Sequence, residues 1–128
     1  MNKLEKINAF LQTRGYDLRK IKGQKLNNAN IICKALTEHE AIETIKLYYQ
    51  LKVPILGGDV FYLNTKGEIN WTYDNWYIER STKESDVDFL EKSISETEIF
   101  IKNYQNNAYQ NCIFLFDIVY EKHYLNCE

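Results

Sequence analysis

The stretch Ile55–Tyr77, ILGGDVFYLNTKGEINWTYDNWY, constrains the fold more than any other part of the chain. Ile55 to Leu63 is rich in β-branched and aromatic residues, and Ile69 to Tyr73 repeats that character. Such side chains favour a pleated, half-buried surface. Between the two runs, NTKG puts Asn64 at the first and Gly67 at the last position of a type I turn, which suits a short hairpin loop. In the returning strand Ile69, Trp71 and Tyr73 share one face and Asn70, Thr72 and Asp74 the other, because side chains alternate. The DNW that follows is expected to break the ladder, with YIER resuming it briefly.

Helices flank this hairpin. Leu4, Ile7 and Leu11 recur at helical spacing before Gly15. Tyr16 to Asn30 lacks a clean period and reads as a loop. Thr37 followed by Glu40 fits a capping box. Ala41, Ile42, Ile45, Tyr48 and Tyr49 then form an apolar stripe that ends before Pro54, the only proline. Ser85 is the expected N-cap of a third helix, with Asp86 and Asp88 where the helix dipole favours acid. Val87, Leu90, Ile94, Ile101 and Tyr104 form its predicted buried stripe. Residues 111–120 read as a last strand, apolar on nearly both faces and therefore expected in the middle of a sheet. The order α-α-β-β-α-β predicts an α+β fold: a three-stranded, mainly antiparallel sheet (hairpin 55–73 plus strand 111–120) packed with about three helices.

Charge and cysteine usage narrow the function. The chain has 128 residues, near the commonest domain size, and is read as one domain, 1–128. Its net charge of −2 argues against a general nucleic-acid binder. Residues 1–64 carry ten Lys/Arg against six Asp/Glu, a net +4, and residues 65–128 carry six against twelve, a net −6. Arg14–Lys25 is a basic cluster, and Glu79–Glu98 an acidic one. These are either solvated faces or a polar partner surface. Cys33, Cys112 and Cys127 form no CxxC pair, so neither a disulfide framework nor a zinc ribbon is expected. His39 with Glu43, and His123 with Cys127, are helically spaced pairs, too few for a metal site. No P-loop or dinucleotide motif occurs. No apolar run reaches membrane-spanning length, so a cytoplasmic location is expected.

Two glycines and an aspartate inside a strand, Gly57, Gly58 and Asp59, admit three readings. GGDVF is similar to the GGDEF signature of diguanylate cyclases, but Val60 stands where an acid is required and the hairpin turn falls later. A structural reading places a bulge at Gly57–Gly58. Strict alternation would put Asp59 with Phe61 and Leu63, where an unpaired carboxylate is costly, and a bulge would re-aim it. A recognition reading joins an outward Asp59 to Tyr73, Asp74, Asn75, Trp76 and Tyr77, an exposed aromatic corner ringed by carboxylates.

The residues of this region resemble the bacterial polymorphic-toxin immunity proteins, family forty of the immunity series. Ala41, Ile42 and Ile45, then Pro54, Leu56, Gly57, Gly58, Asp59, Val60 and Tyr62, match its "aIe.i..l...piLGGDVy" segment. Gly67 and Tyr73 to Tyr77 match the turn and the "YDNWy" that follows. The likeness covers roughly residues 35 to 120. It implies a protein that binds a cognate toxin domain and neutralises it without turnover, in the cytoplasm, during competition between bacteria. The expected contact surface is Asp59, Tyr73, Asp74, Asn75, Trp76, Tyr77 and Glu79, with Gly57, Gly58 and Gly67 structural. No catalytic residue, metal or cofactor is expected, nor direct nucleic-acid or membrane binding, and no oligomeric state is set. The alternative is a small ligand-binding or catalytic domain in which Asp59 and Asp74 pair across the hairpin.

Overall fold

The computed structural model describes residues 1–18, 33–109 and 111–126. In chain order the elements are α1 (Lys3–Gln12), β1 (Tyr16–Asp17), β2 (Lys34–Ala35), α2 (Glu38–Gln50), β3 (Ile55–Leu63), β4 (Ile69–Tyr77), α3 (Asp86–Asn103) and β5 (Ile113–Tyr120), with short 3-10 turns at Asn107–Tyr109 and Lys122–Asn126. The fold is α+β, as expected, with three helices among the described residues and an antiparallel sheet of order β4-β3-β5. The small β1-β2 ribbon was not foreseen, since Tyr16 and Asp17 read as loop. Most of the basic cluster Arg14–Lys25 lies outside the described residues. Arg14 itself ties α1 to α2: its guanidinium lies 3.6 Å over the Phe10 ring and its Nε donates to Glu43 at 3.4 Å.

Helix starts follow the sequence signals. Asn2 and Thr37 each accept from the backbone N–H three residues on, and Glu5 and Glu40 reach back, so α1 and α2 both open on capping boxes. Ser85 caps α3 through the Asp88 N–H. The hairpin turn has the expected form: Gly67 N donates to Asn64 O at 3.0 Å, Asn64 Oδ1 accepts from Lys66 and Glu68, and Gly67 adopts φ +80°.

Two expectations need correction. The middle strand is β3, and β5 lies beside it at one side. β5 is apolar on both faces because the helices cover one, through Phe116, Ile118 and Tyr120, while Leu18 and Ala35 pack with Leu115 on the other. A single bridge, Leu36 to Phe116, covers its outer edge, with bonds of 2.8 and 2.7 Å. The buried stripe of α3 also differs: Val87 is 65% exposed, whereas Phe89, Leu90, Ser93, Thr97 and Ile101 are buried. Small hydroxyl side chains let α3 approach the sheet closely and bond to it. Ser93 Oγ accepts from Ile55 N at 3.0 Å and donates to Leu90 O at 2.9 Å.

The Ile55 N–H at the start of the central strand depends on Ser93, so Ser93→Ala strands a buried donor. A loss of about 1–3 kcal/mol is expected in urea unfolding, well above the few tenths typical of exposed serines on α3 such as Ser95.

Candidate functional site

The two glycines of β3 let the neighbouring strands approach closely, and Gly58 also clears the Trp76 ring. Gly57 has φ +147°, and a Cβ there would lie 2.1 Å from the Trp76 carbonyl oxygen. At Gly58 a Cβ would meet Asp117 O at 2.0 Å and the Trp76 ring at 2.4 Å. Gly58 and Trp76 are direct partners across β3 and β4, so the indole lies over a position that must carry no side chain. A one-residue bulge sits here too: Ile55 pairs with Tyr120 but Gly57 pairs with Val119.

The irregularity of β4 lies opposite Val60. Asp59 pairs with Asn75 and Phe61 with Trp71, which leaves Thr72, Tyr73 and Asp74 facing a single residue. The expected break at DNW is thus a bulge over 72–74, after which pairing resumes through Tyr77. Tyr73 takes φ +68° within it. Thr72, buried, donates its hydroxyl to Val60 O at 2.8 Å and accepts from Asp74 N at 3.0 Å. Asp74 Oδ2 accepts from Tyr104 Oη at 2.6 Å and from Asn106 Nδ2 at 3.0 Å, tying the bulge to the end of α3.

Beyond the bulge, alternation divides the motif. Trp76 points to the helix side, 8% exposed, its Nε1 donating to Thr97 Oγ1 at 3.1 Å and its ring stacked 4.7 Å from Phe100. The expectation of an exposed Trp76 is therefore corrected: the indole is core. Asn75 and Tyr77 point to the opposite face, where Tyr77 is 74% exposed. Tyr73 is 81% exposed beside Trp71, and Glu79 stands exposed past the strand end, its carbonyl bonded by Lys92.

Asp59 is not swung away by the glycine bulge. It remains on the face of Phe61 and Leu63, part-exposed, directly opposite Asp117 of β5. The bulge lies before it and leaves the alternation of residues 59–63 intact, so that expectation too is corrected. The Phe61 half of this face is covered by Leu18 and Ala35. The other half is an open, shallow depression lined by Asp59, Asn75, Tyr77 and Val119, the last 40% exposed. Burial pushes the Asp117 carboxyl up to about 7, with the Asp59 charge adding to the rise, and burial raises Asp59 as well. Surface area leaves Asp117 part-exposed, but the atoms packed around it exclude enough water for burial to dominate. Asp117 was missed from sequence, although a lone aspartate in an apolar strand was a usable signal. Asp59 and Asp74, the pair the catalytic alternative needs, belong to different networks: one faces Asp117, the other Tyr104 and Asn106. His39 approaches Glu43 at 3.8 Å, and Cys127 lies outside the described residues.

A family model described as Immunity protein 40 matches residues 25–118, which spans β2 through most of β5. No curated protein and no solved structure matches the chain.

Two measurements check this geometry. Trp76→Ala removes a buried ring and strands the Thr97 contact, so a loss of about 3–5 kcal/mol is expected, against under ~0.5 kcal/mol for Tyr77→Ala. The pH dependence has a defined sign. An aspartate with a raised folded-state pKa holds its proton more tightly folded than unfolded, so its ionisation opposes folding. Unfolding free energy should therefore fall as pH rises from ordinary aspartate values through about 7. Asp117→Asn is expected to flatten that fall and to add about 2 kcal/mol at pH 8. Parallel urea curves for the two proteins at pH 5 and pH 8 would refute it.

Proposed function

This chain belongs to the immunity protein 40 family, and from that premise we propose that it binds a cognate bacterial toxin domain by direct contact and neutralises it. Binding is stoichiometric and needs no turnover, and it takes place in the cytoplasm of the cell being protected. The contact face is the open half of the sheet: Asp59, Asn75 and Tyr77 at its centre, Tyr73 and Asp74 on the bulge beside it, and Glu79 at the strand end. Trp76 serves from beneath, fixing the backbone that presents its neighbours.

The observation that carries this reading is the pairing of two exposed tyrosines, Tyr73 and Tyr77, with carboxylates held on the same stretch of sheet. Tyrosine supplies large contact area with a polar tip and is enriched among residues that dominate binding energy. The carboxylates add selectivity for a basic surface, which also suits the −6 charge of residues 65–128. A toxin domain that works on phosphate-rich substrates would offer such a surface.

The test is Asp59→Lys combined with Tyr77→Ala, neither of which touches the helix-side core. The double variant is expected to keep the wild-type thermal transition within a few degrees. It should bind the toxin domain encoded beside its gene at least about tenfold more weakly and protect co-expressing cells poorly. Wild-type affinity and protection in the folded double variant would remove this face from the account.

A further inference from the structure

Tyr73 holds a conformation that a large side chain rarely takes. Its φ of +68° lies in the left-handed region, where Cβ crowds the following carbonyl. The side chain buries little in return: it is 81% exposed, its ring beside Trp71 with centroids 6.4 Å apart. Strain kept for an exposed ring points to a use outside the fold.

The bulge that carries this strain is fastened from the helix side of the sheet. Asp74 Oδ2 accepts from Tyr104 Oη at 2.6 Å and from Asn106 Nδ2 at 3.0 Å. Both donors are themselves fixed. The Tyr104 ring stands edge-on to Phe114 and Phe116 of β5, at 4.9 and 5.9 Å, and is tilted against Phe100 of α3 at 5.7 Å. Ala108 N donates to Asn106 Oδ1 at 3.0 Å, which turns the Asn106 amide so that Nδ2 faces Asp74 and Tyr104 Oη. Burial, and then the bond to Asp74, push the Tyr104 hydroxyl up, so it keeps its proton and donates. On the other flank Thr72 is held by its bond to Val60 O. Tyr73 therefore turns between two anchored neighbours, as a bulge that re-aims a side chain requires.

We propose that Tyr104 and Asn106 are positioning residues for toxin binding: acting through Asp74, they hold the 72–74 bulge so that the Tyr73 ring meets its partner already oriented. The proposal rests on the toxin-contact reading and refines the part of Asp74 in it. The Asp74 carboxylate serves as an acceptor for the end of α3, and its charge is not what the toxin reads.

Affinity for the toxin domain is measured for Tyr104→Phe, Tyr73→Ala and the two combined, beside Asp74→Asn and Asp74→Ala. Tyr104→Phe keeps the ring among its phenylalanine neighbours and is expected to melt within a few degrees of the wild type. Tyr73→Ala should bind at least about tenfold more weakly. Tyr104→Phe should bind about fivefold more weakly, because affinity falls with the fraction of molecules already in the bound geometry. In the Tyr73→Ala background that loss should shrink to under about twofold, since the ring it acts through is gone. Asp74→Asn retains an acceptor oxygen for Tyr104 and should stay within about twofold of the wild type, whereas Asp74→Ala should match Tyr104→Phe. In NMR spectra of the free protein, the strong amide–Hα cross-peak within Tyr73 that marks a left-handed residue should weaken in Tyr104→Phe and persist in Asp74→Asn. Wild-type affinity of Tyr104→Phe, equal losses in both Tyr73 backgrounds, or an Asp74→Asn loss as large as that of Asp74→Ala overturns the proposal. Wild-type affinity of Tyr73→Ala overturns it as well. Weak binding by the Asp59→Lys, Tyr77→Ala double variant would then leave the toxin face standing, and wild-type binding by it would remove both.

Discussion

The contact between the Trp76 indole and a strand position with no side chain organises this protein. The ring fills space that any Cβ at Gly58 would occupy. It is anchored at its nitrogen by Thr97 and on its face by Phe100, both on α3. One side chain thereby joins the hairpin to the helix layer and sets how closely they approach. Its size explains why the partner must be glycine, and its polar nitrogen explains why a threonine sits in the buried stripe of a helix. The spacing between the GGDV and YDNW segments is then a consequence of antiparallel register: they are one packing unit seen from two strands.

The same register decides which residues remain for recognition. With Trp76 committed inward, strand alternation sends Asn75 and Tyr77 outward. The bulge at 72–74 breaks that alternation once, which exposes Tyr73 and aims Asp74 toward Tyr104 and Asn106. A motif of five polar and aromatic residues thus divides into an inner anchor, a tie to α3 and an outer surface. A rigid strand holds the outer residues at fixed spacing, so the proposed contact would cost little ordering entropy.

Much of this was legible in the sequence because it depends on local chemistry. The caps at Thr37 and Ser85, the Asn64–Gly67 turn and the β3 limits follow from residue types a few positions apart. What escaped depends on distant neighbours. Ser93 and Thr97 are polar by composition, so apolar periodicity passed over them, yet each is buried to satisfy a donor from the sheet. Val87 satisfies the period but faces outward, Phe89 and Leu90 taking the buried side of the first turns. β5 read as central because both faces are apolar, and nothing local says that a two-residue ribbon supplies one cover. Trp76 and Asp59 depart from expectation in opposite directions: strand register places the indole inside and keeps the acid against Asp117.

In the proposed reading, that acid pair links folding to binding. Burial raises both carboxyls, and the Asp59 charge adds to the rise at Asp117 directly opposite it. The free protein therefore tolerates a local cost that helps nothing in its own core. A lysine or arginine brought onto the pair by a partner would remove the repulsion and restore both charged forms. The cost is present in the free protein, and in the proposed complex a cation placed between β3 and β5 would offset part of it. An anionic or neutral surface would leave the pair strained and buried more deeply, which is worse than leaving it in water. A contact of the proposed kind would thus be selective by penalty as much as by attraction.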